Sequence, residues 1–211
     1  MTQEIILASA SPRRALLLGM LGVQFRTHVS AVSENFDTQL SAHDQARLLA
    51  LAKARAVGQG YPGRTVLAAD TLISFRGSLL GKPASPDEAL AMLRSLRGEW
   101  HRVLTGVAVV AADGAEHVGV ETTRVLMRRY SDEEIAAYVA SGDPMDKAAA
   151  YAIQNREFHP VARLQVCYTN VMGLPLCLAQ TLLERAGLPA FVAGNRLRSR
   201  SCSFCRRARE G

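Results

Sequence analysis

Long apolar runs, sequence repeats, Gly/Ser linkers and disulfide-forming cysteines are all missing from this chain of 211 residues. No apolar run approaches the roughly 20 residues that a membrane helix needs, so neither a spanning protein nor a membrane partner is expected. Met1-Thr2-Gln3-Glu4 shows no basic stretch leading into an apolar run with a small-residue cleavage site. No secretory signal is read there, and a cytoplasmic location is expected. The four cysteines stand at 167, 177, 202 and 205. Cys202 and Cys205 have the spacing of half a zinc ribbon, but no second pair at similar spacing completes it. Reduced thiols are the simpler reading. A chain of this length buries a core without metal or disulfide staples.

The formal charge of +6 is concentrated at one end. Residues 195–211 carry six arginines against the single acid Glu210, so they supply +5 of it and leave residues 1–194 near neutral. Such a tail reads as a solvated, disordered extension. The expected organisation is one domain over 1–194 followed by this Arg/Cys-rich tail. Nucleic acid is not an expected partner of the body, and only the basic tail would offer it a grip.

What is present alternates between strands and helices, and a hairpin interrupts the alternation. That pattern predicts an α/β fold with a mixed sheet and flanking helices. Ile5-Ile6-Leu7-Ala8 reads as a buried strand, and Ser11-Pro12 opens a helix. Phe25 to Val29 alternates like a strand. Ser41 to Val57 reads as a helix with Leu48, Leu49, Ala52 and Ala56 on its apolar stripe. Val66 to Ala69 reads as a strand ending at Asp70. Ser85-Pro86-Asp87-Glu88 and Ser131-Asp132-Glu133-Glu134 are capping boxes. Two strands joined at Asp113-Gly114 lie between them. A strand near 161–168 and a helix over about 175–186, closed by Gly187, follow.

Five places could carry chemistry. Ser9-Ala10-Ser11-Pro12-Arg13-Arg14 lies where a strand gives way to a helix. Free N–H groups, the helix dipole, two hydroxyls and two guanidiniums there suit a phosphate, although a plain serine cap with solvated arginines has the same sequence. Asp70, at a strand end, could hold a divalent cation, take a proton from water, or simply cap a turn. Lys82 in Gly81-Lys82-Pro83 could reach phosphate or remain solvated. The block Asp143-Pro144-Met145-Asp146-Lys147-Ala148-Ala149-Ala150-Tyr151-Ala152-Ile153-Gln154 sets an acid beside a base, then small residues, Tyr151 and Gln154, and the Gln154 amide could read a base edge. The bland reading of that block is a poorly amphipathic helix with a surface ion pair. Glu34 could join Asp70 around a metal. Together these residues describe a nucleotide–metal site without fixing the reaction.

The order of these motifs resembles the Maf family. Ile6-Leu7-Ala8-Ser9-Ala10-Ser11-Pro12-Arg13-Arg14, Glu34, Ala69-Asp70-Thr71, Gly81-Lys82-Pro83, Pro144-Met145-Asp146-Lys147-Ala148 and Asn170-Val171-Met172-Gly173-Leu174-Pro175-Leu176 carry the resemblance, over residues 4–190. It implies a cytosolic nucleoside triphosphate pyrophosphatase, with nucleoside triphosphates as substrates and Mg²⁺ or Mn²⁺ as cofactor. The implied fold is that of the inosine triphosphate pyrophosphatases, two lobes around a cleft, and is compatible with a homodimer. The family is also associated with restraint of septum formation.

By position, the resemblance makes Asp70 the catalytic acid and Glu34 and Asp70 the metal-side carboxylates. Ser9, Arg13, Arg14, Lys53, Lys82, Asp146 and Lys147 fall into the substrate-binding set. Arg13, Thr71 and Gln154 match the dTTP/UTP branch of the family. Preference for CTP or 7-methyl-GTP is the alternative within the enzyme class, and a non-catalytic nucleotide-binding regulator of cell division is the alternative outside it. Two blocks depart from the family pattern: Ala149, Ala152 and Asn155 stand where glycines are usual, and Cys167-Tyr168-Thr169-Asn170 where Gly-Ser/Asp-Tyr is usual, which puts the base pocket, more than the phosphate chemistry, out of the family pattern.

Overall fold

A computed structural model describes residues 4–33, 37 and 39–189. Glu34 and the basic tail, with Cys202 and Cys205, lie outside the described residues. In chain order the elements are β1 (Ile5–Ala8), α1 (Pro12–Gly19), β2 (Phe25–His28), α2 (Ala42–Gly58), β3 (Val66–Phe75), β4 (Ser78–Leu80), α3 (Pro86–Leu96), β5 (Trp100–Val110), β6 (Glu116–Met127), α4 (Asp132–Ala140), β7 (Val161–Gln165), α5 (Tyr168–Met172) and α6 (Leu176–Arg185). Two 3₁₀ turns, Asp143–Asp146 and Ala148–Ala150, lie between α4 and β7. Among the described residues, no helix is long and apolar enough to cross a membrane.

One sheet runs β2-β1-β3-β5-β6-β7, and β4 pairs with the far end of β3. β1 is parallel to β2 and β3, and the remaining pairs are antiparallel. The expected mixed α/β architecture is therefore present. Leu17 and Leu18 of α1 and Leu182 and Leu183 of α6 bury one face of the sheet against Leu7, Leu67 and Val107. Ala50 and Ala54 of α2 bury the other against Val66, Ala68 and Ala108. A second large core gathers Leu93, Leu96, Ile135 and Tyr138 of α3 and α4 over Ile73, Phe75 and Val125. Ile153 packs against both large cores, at the seam between them.

Three expectations need correcting. Asp70 does not end its strand. β3 continues to Phe75, because Leu72, Ile73 and Phe75 bury as well as the residues before them. The apolar stripe expected on α2 is also displaced. Leu48 is 44% exposed, whereas Gln45, Ala46, Ala50, Lys53, Ala54 and Val57 face inward. The cause is close approach: a Cβ at Gly106 of β5 would lie 2.0 Å from the Ala46 carbonyl oxygen, so the helix backbone rests directly on β5 there, and Leu51 and Val57 are buried farther along the helix. Finally, residues 143–150 form two 3₁₀ turns, not a helix, because Ala149 (φ 55°) and Ala150 (φ 58°) adopt left-handed backbone. Of the two capping boxes, the one at Ser131 is complete. At Ser85 the Glu88 carboxylate accepts from Ala84 N–H instead.

Candidate active site

The site opens where β3 loses its neighbour on one side. β1 pairs with residues 66–68 of β3 and β4 only with 73–75, so positions 69–72 have no strand partner on that side. On the other side β5 pairs along the whole stretch and keeps β3 straight. Asp70 and Thr71 occupy the gap. Strand alternation sends Asp70 to the α2 face with Ala68 and Leu72, and Thr71 to the α1 face. Because the edge is open, both side chains line the same cleft.

On the α2 face, Lys53 Nζ donates to Asp70 Oδ1 at 2.5 Å, and both residues are only 5% exposed. This pairing explains why a lysine lies on the buried side of a helix whose leucine points to solvent. Buried charges persist when they are paired and hydrogen-bonded.

On the opposite face the turn after β1 is wound tightly. Ser9 N–H donates to the Leu7 carbonyl, and Ser11 N–H donates to Ser9 Oγ at 3.1 Å. Ser11 Oγ caps α1 by accepting from Arg14 N–H. Arg14 then braces the cleft. Its Nε donates to the Gly173 carbonyl at 2.9 Å, Nη1 to Ser9 Oγ at 3.4 Å and Nη2 to Thr71 Oγ1 at 3.2 Å. Thr105 Oγ1 donates to the Asn170 carbonyl, so the 3.0 Å contact between Thr71 and Thr105 is donated by Thr71. The Thr71 hydroxyl proton is thus engaged within the protein, and this residue acts on Arg14.

The third wall comes from residues 143–154. Lys147 Nζ donates to Asp146 Oδ1 at 2.6 Å and to the Asp143 carbonyl at 2.5 Å, and pairs with Asp143 Oδ1 at 3.0 Å. The hydrogen bond from Lys147 holds the Asp146 carboxyl below its ordinary value, with the Lys147 and Arg13 charges outweighing partial burial. Ala149 N–H donates to the Gly81 carbonyl, which fastens the Lys82 loop to this wall. Tyr151 lies at the back, its hydroxyl 2.7 Å from His101 Nε2. Burial pushes His101 down to about 4 and Tyr151 upward, so this part of the wall is uncharged at neutral pH.

Ser9, Arg13, Arg14, Lys53, Asp70, Thr71, Lys82, Asp146, Lys147 and Gln154 all line one cavity of about 340 Å³. Glu34 lies outside the described residues. No described residue hydrogen-bonds the side chains of Arg13, Lys82 or Gln154. A larger, mainly apolar groove of about 1140 Å³ adjoins the cavity at Gln154 and Met172, but the cationic and acidic groups converge only in the smaller one. Thr105, Asn170, Gly173, His101 and Tyr138 support the site without marking themselves singly in the sequence, whereas Asp143 opens the Asp143–Gln154 block and Asn155 stands at a usual glycine position. The Asn170–Leu176 motif did mark α5, and its Gly173, at φ 112°, brings a carbonyl to Arg14. Thr105, His101 and Tyr138 left no local signal.

Five cationic groups, two serines at a strand-to-helix turn and one deeply buried carboxylate define a phosphate-handling α/β protein. The chain belongs to the Maf-like protein family, whose match covers residues 4–186. It is 48% identical to a Thermomicrobium roseum protein over 95% of this chain and 92% of that one. It is 46% identical to a Symbiobacterium thermophilum protein over 91% and 98%, respectively. Both relatives are named dTTP/UTP pyrophosphatase. The backbone is also similar to the Staphylococcus aureus Ham1 protein, at a TM-score of 0.46 and 17% identity, over 87% of this chain and 99% of that one.

Proposed function

We propose that this chain is a nucleoside triphosphate pyrophosphatase that hydrolyses dTTP and UTP to the monophosphate and pyrophosphate. The observation that carries the reading is the convergence of Arg13, Arg14, Lys82 and Lys147 on a cleft with Asp70 at its floor. The names of the relatives support the choice of bases. The cations and the Ser9–Ser11 turn bind the triphosphate and neutralise charge that shifts toward the leaving pyrophosphate. Lys53 fixes Asp70 through Oδ1. The other carboxylate oxygen accepts the proton of the water that attacks the α-phosphorus in line. Gln154 presents a donor and an acceptor to the base edge.

Among the described residues no three of His, Cys, Asp and Glu gather to hold a metal. The donor set still admits magnesium, which is commonly held by one or two carboxylates together with substrate phosphates. Asp70 would hold it, with Glu34 as the second carboxylate of the reading. When bound, the cation would lower the charge of the triphosphate. A cytoplasmic site of action and a link to septum formation belong to the same reading.

The test is pyrophosphate release from a panel of triphosphates with Mg²⁺ or Mn²⁺, with Asp70→Asn measured beside the wild type. Release from dTTP and UTP that falls at least about 10³-fold in the variant supports the proposal. Activity confined to CTP or 7-methyl-GTP would overturn the roles of Thr71 and Gln154. Binding without release would leave a nucleotide-binding regulator.

A further inference from the structure

The 143–159 wall is irregular backbone, yet it carries both Lys147 and Gln154. Its hub is the Asp143 carboxylate. Oδ1 pairs with Lys147 Nζ, while Oδ2 accepts from the Tyr138 hydroxyl at 2.8 Å and from Asn155 Nδ2 at 3.2 Å. Asn155 is fastened at its other end as well. Its Oδ1 accepts from Phe158 N–H at 2.8 Å, its carbonyl accepts from His159 N–H and its own N–H donates to the Ala152 carbonyl. Arg128 pins the same turn by donating to the Phe158 and His159 carbonyls. Tyr138, which binds Asp143, also accepts from Ala152 N–H. One amide side chain thus joins the carboxylate that anchors Lys147 to the turn that follows Gln154.

We propose that Asn155 is a positioning residue that clamps the Gln154 segment to Asp143 and so fixes Lys147 and Gln154 relative to each other in the cleft. The inference rests on the reading of the cleft as a triphosphate site. A glycine at this position would have no side chain to make the bond. The bond is therefore particular to sequences that carry a donor here, and it stiffens a wall that φ and ψ alone leave irregular.

Burial pushes the Asp143 carboxyl up, but hydrogen bonds from Tyr138 and Lys147, the Lys147 charge and the Asn155 amide outweigh it and hold the group below its ordinary value. Asp143 therefore accepts from all three partners as a carboxylate at neutral pH.

Asn155→Asp separates positioning from mere structure. It keeps the oxygen that receives Phe158 N–H and puts an acceptor where Asp143 needs a donor. The expected result is a KM for dTTP and UTP raised about tenfold, with kcat within about threefold, because ground-state and transition-state contacts are lost equally. Asn155→Gly removes the clamp without adding charge and serves if Asn155→Asp does not fold; its KM should rise about as much. Unchanged KM in the single variants, with wild type active on dTTP and UTP, overturns the clamp alone. Raised KM accompanied by a fall in kcat of more than about tenfold reduces Asn155 to a structural residue. A wild type that releases no pyrophosphate from any triphosphate overturns the reading of the cleft and the clamp with it.

Discussion

The two sides of the cleft are built in opposite ways. The phosphate side rests on regular elements: the end of β1, the first turn of α1, the middle of β3 and the inner face of α2, with Lys53 and Asp70 almost wholly buried. The facing wall, 143–159, is two 3₁₀ turns and a loop, with left-handed alanines and a network of side-chain hydrogen bonds. Precision on the first side comes from backbone already fixed by the sheet. On the second it comes from side chains that hold the backbone. The groups proposed to meet the reacting phosphorus sit largely on the first, and Gln154, proposed for base selection, sits on the second; regular elements hold a site more precisely than loops do.

That contrast breaks most sharply at Gly106. Gly106→Ala would drive a methyl into the Ala46 carbonyl and lift α2 from β5. A loss of about 3 kcal/mol of stability is expected in chemical denaturation. Turnover should collapse with it, because α2 carries Lys53. An unchanged denaturation midpoint would show that α2 does not depend on backbone contact. Next in size is Thr71→Val, which removes the acceptor of Arg14 Nη2 while leaving the β3–β5 pairing alone. A hydrogen bond to a charged group contributes about 1.5–3 kcal/mol, so kcat/KM should fall at least about tenfold. Equal activity would mean that Arg14 is held adequately by Gly173 and Ser9. On the irregular wall, Gln154→Ala should alter preference among bases about tenfold, the loss of one hydrogen bond to the base, and leave the thermal midpoint in place, since no described residue hydrogen-bonds its amide. A fall in activity that is the same for every base would remove Gln154 from base selection.

The same contrast explains what could be read in the chain. β1, α1, β2, the β5–β6 hairpin and α6 follow local rules of alternation, capping and turn chemistry, and they appear where those rules put them. The strand carrying Asp70 looked shorter than it is, because a polar Asp-Thr pair resembles a stop. Pairing with β5 carries the strand past it. The stripe on α2 is displaced because periodicity weighs Leu48 above alanine, whereas the inner face is set by the close approach of Gly106 to Ala46 and by the Lys53–Asp70 pair. Arg13, Arg14, Lys82 and Lys147 were legible as charges near turns. Their convergence, and the hydroxyl chain from Arg14 through Thr71 and Thr105 to Asn170, depends on contacts between residues as much as 159 positions apart. Asn155 showed only as a missing glycine, and no local pattern reveals that its amide meets Asp143.

The smallest effects expected concern stored strain, and they come as a pair. Val166 (φ 98°), on the surface between β7 and α5, is a β-branched residue in backbone that favours glycine, and it is 69% exposed. Such strain costs about 1–3 kcal/mol, and glycine's extra freedom in the unfolded chain returns up to about 1 kcal/mol of it. With little packing to lose, Val166→Gly should stabilise the protein by about 1 kcal/mol, a rise of roughly 3 °C in thermal midpoint. Ala149 (φ 55°) is strained too, but its methyl is fully buried in the facing wall. There the relief of about 1–2 kcal/mol is offset by chain entropy and by about 0.8 kcal/mol of lost methyl burial, so Ala149→Gly should be close to neutral. If Ala149→Gly stabilises as much as Val166→Gly, the Ala149 methyl adds nothing to the packing of the wall, and its side-chain hydrogen bonds alone hold it. If Val166→Gly destabilises, the Val166 side chain contributes more to stability than its left-handed backbone costs.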